Sequence, residues 1–418
     1  MRTKTPRIAI IYDHLLTQYG GAEQVLTAVL AAFPQAELFS TIQDTQTTDW
    51  HTKTSVHLSY LQKLFPLVQR REILDVLTPL AIEQFDLSEF EIVISITSSA
   101  VKGVVTQPHQ LHLCYLLSPT RYLYDISDSL LNQHSLLSLP GLRWITRQIF
   151  TYLRWWDQVA IWRPDYIVAI SQQVATRCAA TYNRTVDDIL YPPVDLPVDS
   201  STKIPANAAQ KSSVPVTQSQ QLSTEPYLLC LSRLVPYKRI DLAIQAALQT
   251  NTRLCIAGTG REFTALTKVA GTAAYIRRQD EDVFTAFKHA QLQAKKIIFL
   301  GTTSDSEKAI LLMQCKAFIM PGIEDFGITA LEATAYGKPT IIAAESGVAE
   351  LLLDEKEAIY FSDQRLEHLV DAVKKLDYSR FNSETITTKA RQFSREEFVR
   401  KFHNIVFAFY REHSTIKQ

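Results

Sequence analysis

Two acidic residues, Glu324 and Glu332, flank the point where an apolar run gives way to a helix-forming one. Ala317 to Met320 reads as a buried parallel strand, and Pro321 and Gly322 break it. Gly327 permits a tight backbone approach, and Thr329-Ala-Leu-Glu-Ala-Thr-Ala335 then favours helix. The helix should stop at Gly337-Lys-Pro339, ahead of a second apolar strand at Thr340 to Ala344. Such a helix start collects anions, because its free N–H groups and its dipole point the same way. The amides there belong to Phe326, Gly327 and Ile328, with Glu324 in the preceding loop and Glu332 more than a turn inside the helix. Phosphate on the amides and hydroxyls on the carboxylates describe the two ends of a nucleotide sugar.

A second set of charges follows another predicted strand, Tyr227 to Ser232. Arg233 and Lys238 lie five apart in the loop after it. Two fixed cations at that place would neutralise a diphosphate as it departs. Glycines recur at similar positions. Gly20 and Gly21 open a helix behind the strand Arg7 to Tyr12, Gly258-Thr-Gly260 follows the strand Arg253 to Ala257, and Gly347 lies behind Thr340 to Ala344. The Gly258 pair alone is not a full dinucleotide fingerprint.

The string from Pro321 to Pro339, with its E-x7-E spacing at Glu324 and Glu332, resembles glycosyltransferase family 4 (group 1), whose members have the GT-B fold. The resemblance spans nearly the whole chain except 199–226 and 274–295. It implies a retaining hexosyltransferase in which Glu324 holds sugar hydroxyls and Glu332 holds the ribose. It also implies that Gly20, Gly21, Gly258 and Gly347 border the donor, with Arg233 and Lys238 on its diphosphate. Ser232-Arg233…Lys238-Arg239 looks like the family's "G-R-[LV]-x-x-x-K-G", with both terminal glycines replaced, and Ser346 replaces the first glycine of "G-G-x-x-E". Ser118-Pro-Thr-Arg-Tyr-Leu-Tyr-Asp125 resembles an acceptor-side segment of mannosyltransferase-like members. Arg121, Tyr122 and Asp125 are its candidate contacts, although Leu117 stands where the family usually has histidine. Arg121 either meets an anionic acceptor or donor phosphate or pairs with Asp125 one turn on. The segment favours GDP-mannose as donor, and the family implies a saccharide or lipid-linked acceptor in polysaccharide or glycolipid synthesis. A nucleotide-sugar epimerase of the same architecture and a non-catalytic sugar-nucleotide binder are the alternatives. No Asp-x-Asp motif is recognised in the chain, so no metal is expected, and no cofactor beyond the nucleotide-sugar co-substrate.

The elements that must position these residues follow from the apolar pattern. Further strands are expected near Ala36–Ser40, Ile92–Ile96, Leu111–Leu117, Tyr166–Ser171 and Ile297–Gly301, separated by helical segments. That alternation predicts an α/β chain of two Rossmann-like, doubly wound parallel-sheet domains with a cleft between them. The expected division is 1–195 on the acceptor side, 196–226 as a flexible linker, 227–392 for the donor, and 393–418 as a helix returning to the first domain. At 418 residues, two domains are the prior. Lys+Arg and Asp+Glu each number 43, which argues against nucleic acid as a partner. The five cysteines lack metal or disulfide spacing and read as buried thiols of a cytoplasmic protein, and neither a signal peptide nor a spanning segment is recognised. Arg143, Trp144, Arg147, Arg154, Trp155, Trp156, Trp162 and Arg163 interleave aromatic and basic groups. This stretch suits either a core helix or contact with the inner face of a membrane.

Overall fold

The computed structural model describes residues 5–16, 20–45, 48, 55–68, 76–124, 140–197, 221–223 and 225–416. The chain divides into two compact units. One comprises Met1–Pro193 with Arg395–Gln418, and the other Val194–Ser394. Each is built on seven parallel strands with helices against the sheet, the doubly wound α/β organisation that alternating strands and helices predict.

In the N-terminal unit the sheet order is β3-β2-β1-β4-β5-β6-β7. These are β1 (Ile8–Tyr12), β2 (Glu37–Ser40), β3 (Val56–Leu58), β4 (Ile92–Thr97), β5 (Leu111–Leu116), β6 (Tyr166–Ala169) and β7 (Asp188–Ile189). Every residue of β1, β4 and β5 is buried. Covering by helices on both faces explains why these strands read as unbroken apolar runs. The C-terminal unit has the order β10-β11-β9-β8-β12-β13-β14. Its strands are β8 (Tyr227–Leu231), β9 (Arg253–Ala257), β10 (Ala274–Ile276), β11 (Ile297–Gly301), β12 (Ala317–Met320), β13 (Thr340–Ala343) and β14 (Ala358–Phe361). The helices used below are α1 (Gly21–Ala32), α2 (Pro140–Ala160), α3 (Gln172–Tyr182), α4 (Ile240–Gln249), α5 (Asp305–Gln314), α6 (Ile328–Ala335) and α7 (Arg395–Ile416).

Sequence order reverses direction across β1 and β4 in one sheet and across β8 and β12 in the other. Loops leaving the carboxyl ends of two such strands diverge to opposite sides and leave a crevice, the usual ligand position in open α/β sheets.

The structure departs from the expected boundaries in particular places. Leu222 is buried and its N–H donates to Gln314 Oε1 at 2.8 Å, so the end of the expected linker is part of the C-terminal unit. Residues 198–220 of that linker lie outside the described residues. The stretch 274–295, outside the family resemblance, holds β10 and a helix at Val283–Leu292. Helix α7 packs within the N-terminal unit: Phe402 meets Tyr115 at 5.4 Å and Phe33 at 6.1 Å between ring centroids, and Tyr166 stacks on Phe409 at 4.1 Å.

All five cysteines are buried and free. Burial pushes the Cys114, Cys230 and Cys315 thiols up to about 12, which suppresses thiolate chemistry. His112, fully buried on β5 with Nε2 2.9 Å from Ser95 Oγ, is pushed down to about 3, first by burial and then by the charges of Arg184 and Arg163. Its folded pKa lies below the unfolded value of about 6.5, so the unfolded chain binds the extra proton. Stability should therefore be intact above that pH and decline below it by up to about 1.4 kcal/mol per pH unit. Denaturant titrations at pH 7.5 and 5.5 check this: His112→Asn should show a shallower decline than the parent, and parallel declines would remove His112 from the explanation.

Candidate functional site

In the C-terminal unit, the loops that follow β8 and β12 meet. After β8 the chain passes Ser232 and Arg233, makes a 3-10 turn at Pro236–Lys238, and enters α4 through Arg239, whose φ is +49°. A left-handed residue at that point explains why the family pattern has glycine there. Here Arg239 takes the conformation with its guanidinium held on Asp241 at 3.0 Å. After β12 the chain turns at Gly322 towards Glu324. A Cβ on Gly322 would lie 2.7 Å from both Lys238 Cα and the Tyr237 carbonyl oxygen, closer than side-chain carbons approach. The absent side chain therefore lets the two loops touch, and Lys238 Nζ forms an ion pair with Glu324 Oε1. Both side chains are largely buried. Tyr237 completes the group: Lys238 Nζ lies 5.1 Å from its ring centroid, and the exposed Arg233 donates to its hydroxyl at 3.4 Å.

The loop after β13 secures this arrangement. Glu324 N–H donates to Ser346 Oγ at 3.1 Å, and Ser346 Oγ donates to the Gly322 carbonyl at 3.3 Å. Gly347 N–H donates to the Glu324 carbonyl at 3.0 Å, and Val348 N–H to the Phe326 carbonyl at 2.7 Å. Gly347 thus sits against the Glu324 loop. Phe326 is buried and Gly327, at φ +106°, caps α6, which begins at Ile328. Glu332 is buried on α6 with Lys308 of α5 paired to its Oε1 at 2.6 Å. The structure therefore brings Arg233, Lys238, Glu324, Gly347 and the start of α6 together at the β8/β12 switch point. Gly258 serves a neighbouring contact. A Cβ there would meet the Ser232 carbonyl oxygen at 1.9 Å, so it packs the loop after β9 against the one after β8.

Three groups of this site were missed from sequence. Tyr237 stood unremarked between the two expected cations. Lys308 lies in the helix Asp305–Gln314, legible from its helix-forming run, but nothing in its spacing ties it to Glu332. Ser346 was read as a departure from glycine, but its hydroxyl latches two loops. A correction also concerns Asp280-Glu281-Asp282, which is an Asp-x-Asp string. Asp282 caps the helix after it, accepting from Thr285 N–H at 2.7 Å, and Glu281 accepts from the Tyr275 hydroxyl at 2.8 Å. Among the described residues no group of three metal-ligating side chains converges.

In the N-terminal unit the expected contacts sit behind β1 and β5. Gly20 precedes α1 with an extended backbone that any residue adopts, so the fold gives no conformational reason for glycine there. Its N–H donates to Glu23 Oε2 at 3.1 Å, and Tyr12 at the end of β1 donates to the other carboxylate oxygen at 3.0 Å. Asp13 is buried, accepting from Thr97 Oγ1 and from the N–H groups of Ser98, Ala100 and Val101 at 2.8–3.1 Å. Leu117 is buried and turns no polar group outward. Arg121 and Tyr122 lie on one helical turn, Arg121–Tyr124, and Asp125 lies outside the described residues. The segment before them is anchored by Lys102, whose Nζ reaches Asp157 Oδ1 at 2.5 Å and Thr120 Oγ1 at 2.9 Å. The Tyr182 hydroxyl of α3 donates to Asp157 Oδ2 at 2.8 Å. Burial alone would push Lys102 down; the Asp157 carboxylate overrides it and the ammonium is held. Ser171 caps α3, accepting from Val174 N–H at 3.0 Å.

Two parallel seven-stranded sheets with this loop constellation define the GT-B glycosyltransferase fold. Residues 216–393 match the family described as glycosyl transferases group 1. Over 217 residues the chain is 27% identical to the alpha-1,3/1,6-mannosyltransferase ALG2 of Candida glabrata, covering 47% of this chain and 46% of that protein. It is 24% identical over 225 residues to a GDP-mannose-dependent alpha-(1-6)-phosphatidylinositol monomannoside mannosyltransferase of Mycobacterium tuberculosis, covering 51% and 52%. The chain thus spans about half the length of the curated relatives it matches. The crystal structure of Anabaena HepE in complex with UDP superposes with a TM-score of 0.63 at 14% identity, over 96% of this chain and 99% of that one, a likeness of fold.

The loop contacts make a direct prediction. Gly322→Ala should destabilise the chain by about 1–3 kcal/mol through overpacking, and Ser346→Ala by about 1 kcal/mol through its lost hydrogen bonds. Denaturant unfolding of each variant tests the latching role, which changes within about 0.5 kcal/mol at both positions would refute.

Proposed function

We propose that the chain is a retaining, metal-independent hexosyltransferase that moves a sugar, mannose from GDP-mannose in the first instance, onto a saccharide or lipid-linked acceptor. The observation that carries this reading is the Lys238–Glu324 pair at the β8/β12 switch point, inside the stretch matching glycosyl transferases group 1. The names of the mannosyltransferase relatives support the donor; HepE, which shares the fold, was crystallised with UDP, so uridine donors are the second choice.

In this mechanism Lys238 and Arg233 face the donor diphosphate, and the N–H groups at the start of α6 add their partial positive charge. Negative charge grows on the diphosphate as the bond from the anomeric carbon to its phosphate oxygen breaks, so these groups act most strongly in the transition state. Glu324 turns from Lys238 to the sugar hydroxyls, and Glu332 holds the ribose. The acceptor hydroxyl attacks from the leaving-group side, forms the new bond to the anomeric carbon, and gives its proton to the departing phosphate oxygen. Cys230, buried beneath the pair with its thiol pushed up by burial, stays protonated and takes no part.

Arg121 and Tyr122 are assigned to the acceptor. Gly20 and Gly21 are assigned to the donor diphosphate, which would have to take the Gly20 N–H from Glu23. Purified protein should be stabilised against heat by one nucleoside diphosphate sugar in a panel of guanosine, uridine and thymidine donors. Lys238→Ala should lose about a hundredfold or more in turnover while keeping its fold. Near-parental turnover in that variant would end the assigned role, and a product that is an epimerised nucleotide sugar or free nucleotide without acceptor would replace transferase by epimerase.

A further inference from the structure

We infer that the amino-terminal rim of the C-terminal sheet holds a second binding site, one for a small phosphorylated metabolite of sugar-phosphate size. A cavity of about 390 Å³ opens there. It lies between the starts of neighbouring strands on one side and Val373 and Leu376 on the other, at the end of the helix Leu366–Lys374 and the turn after it. The candidate donor site is on the opposite rim. β8 has five residues and β12 has four, so at about 3.3 Å per residue the two sites are roughly 15 Å apart.

Parallel pairing gathers the charges. Four neighbouring strands stand in the order β11-β9-β8-β12. Lys296 immediately precedes β11, Arg253 is the first residue of β9, Glu225 lies just ahead of β8, and Lys316 immediately precedes β12. All four line the cavity. Neighbouring strands lie about 4.8 Å apart, so the three cations occupy a row roughly 15 Å long. Three positive charges against one carboxylate leave a surplus of two among the lining residues. Glu225 is already shared: its Oε2 lies 3.1 Å from Arg253 Nη2 and 3.5 Å from Lys296 Nζ. Asp377, next in the chain after Leu376, is outside the lining, and its carboxylate accepts from the N–H and hydroxyl of Ser379 at 3.1 and 2.8 Å. An anion in the cavity would relieve the repulsion along the row.

Arg253 gives the site a fixed anchor. Its side chain is 3% exposed, and a cation so buried is costly unless its donors are satisfied. Nη1 donates to Ser223 Oγ at 2.6 Å and Nη2 pairs with Glu225, which together fix the guanidinium plane. Nε is buried and meets no hydrogen-bond partner among the described residues. A held guanidinium with a spare donor suits an oxyanion. The charge surplus decides which one: a phosphate monoester carries about −1.5 to −2 at pH 7, against about −1 for a carboxylate. Size narrows it further. The cavity is near the lower end of the roughly 300–1,000 Å³ typical of ligand pockets, roomy for bare phosphate and small for a nucleotide sugar. Asn251 and Thr252 supply polar groups for hydroxyls, and Val373 and Leu376 a wall for carbon.

Calorimetric titration of the full chain with glucose 6-phosphate, inorganic phosphate and glucose tests the site. Glucose 6-phosphate should bind saturably, weaken as salt rises, and raise the melting temperature. It should bind at least about fivefold more tightly than inorganic phosphate and tenfold more tightly than glucose. Arg253→Met should abolish the binding. Should that variant not fold, Lys296→Gln combined with Lys316→Gln gives the same answer, since both lysines are only half-buried. The lysine pair should lower affinity about tenfold or more and keep the parental melting curve. Lys238→Ala should leave glucose 6-phosphate binding unchanged, so failure of the donor reading and failure of this one are told apart. The proposal is overturned by a parent that does not bind saturably, or by unchanged affinity in the lysine variant. Binding lost in Lys238→Ala would put the phosphate in the donor site instead, and equal affinity for inorganic phosphate would remove the sugar phosphate.

Discussion

The candidate site rests on a backbone contact that only a residue without a side chain allows. Gly322 lies against Lys238 and Tyr237, and that approach puts Lys238 within reach of Glu324, 86 positions further along the chain. The two residues become neighbours because β8 and β12 pair in the middle of a sheet whose order reverses there. A parallel sheet forces each strand's successor loop to the same edge, so charges distant in sequence collect on one rim without any dedicated scaffold. Ser346 then fixes the spacing by bonding to both sides of the Glu324 turn.

The N-terminal unit secures its rim by a different physical route. Instead of close glycine packing it buries charge. Asp13 draws in the N–H groups behind β4, and Lys102 with Asp157 ties the segment before Arg121 to α2 and α3. Buried ion pairs contribute little net stability against an apolar alternative, but losing one partner leaves a stranded charge at a cost of about 3–5 kcal/mol. Such pairs therefore restrict the arrangement of the loops more than they deepen the energy minimum. Here they hold the Ser118–Arg121 segment in place from beneath.

Much of this was legible in the residues, and the limits have physical reasons. Strands such as Ile8–Tyr12 and Ile92–Thr97 were readable because burial on both faces demands continuous apolar side chains. The three-residue β3 and β10 are too short for periodicity to register. Glu324, Lys238 and Gly327 could be singled out by type and spacing, but their mutual contacts come from strand pairing. Ser346 was legible as a replacement of the family's glycine, but not the bonds its hydroxyl makes to the Glu324 turn. The tryptophans around α2 were ambiguous for a similar reason: sequence gives the register of a helix but not which face the sheet covers. Residues 198–220 were read as linker and lie outside the described set.

The path of the chain has a consequence for how the protein is made. Helix α7 supplies Phe398, Phe402 and Val406 to the interior of the first unit, where Tyr115 waits on β5 and Phe33 at the end of α1. Those side chains emerge from the ribosome some two hundred residues after the sheet they cover, when the whole second unit has already been synthesised. Until then the first unit carries an uncovered aromatic face, so the second unit is free to mature first even though it is translated later. Chaperone dependence during synthesis would fall on the half of the chain that appears earliest.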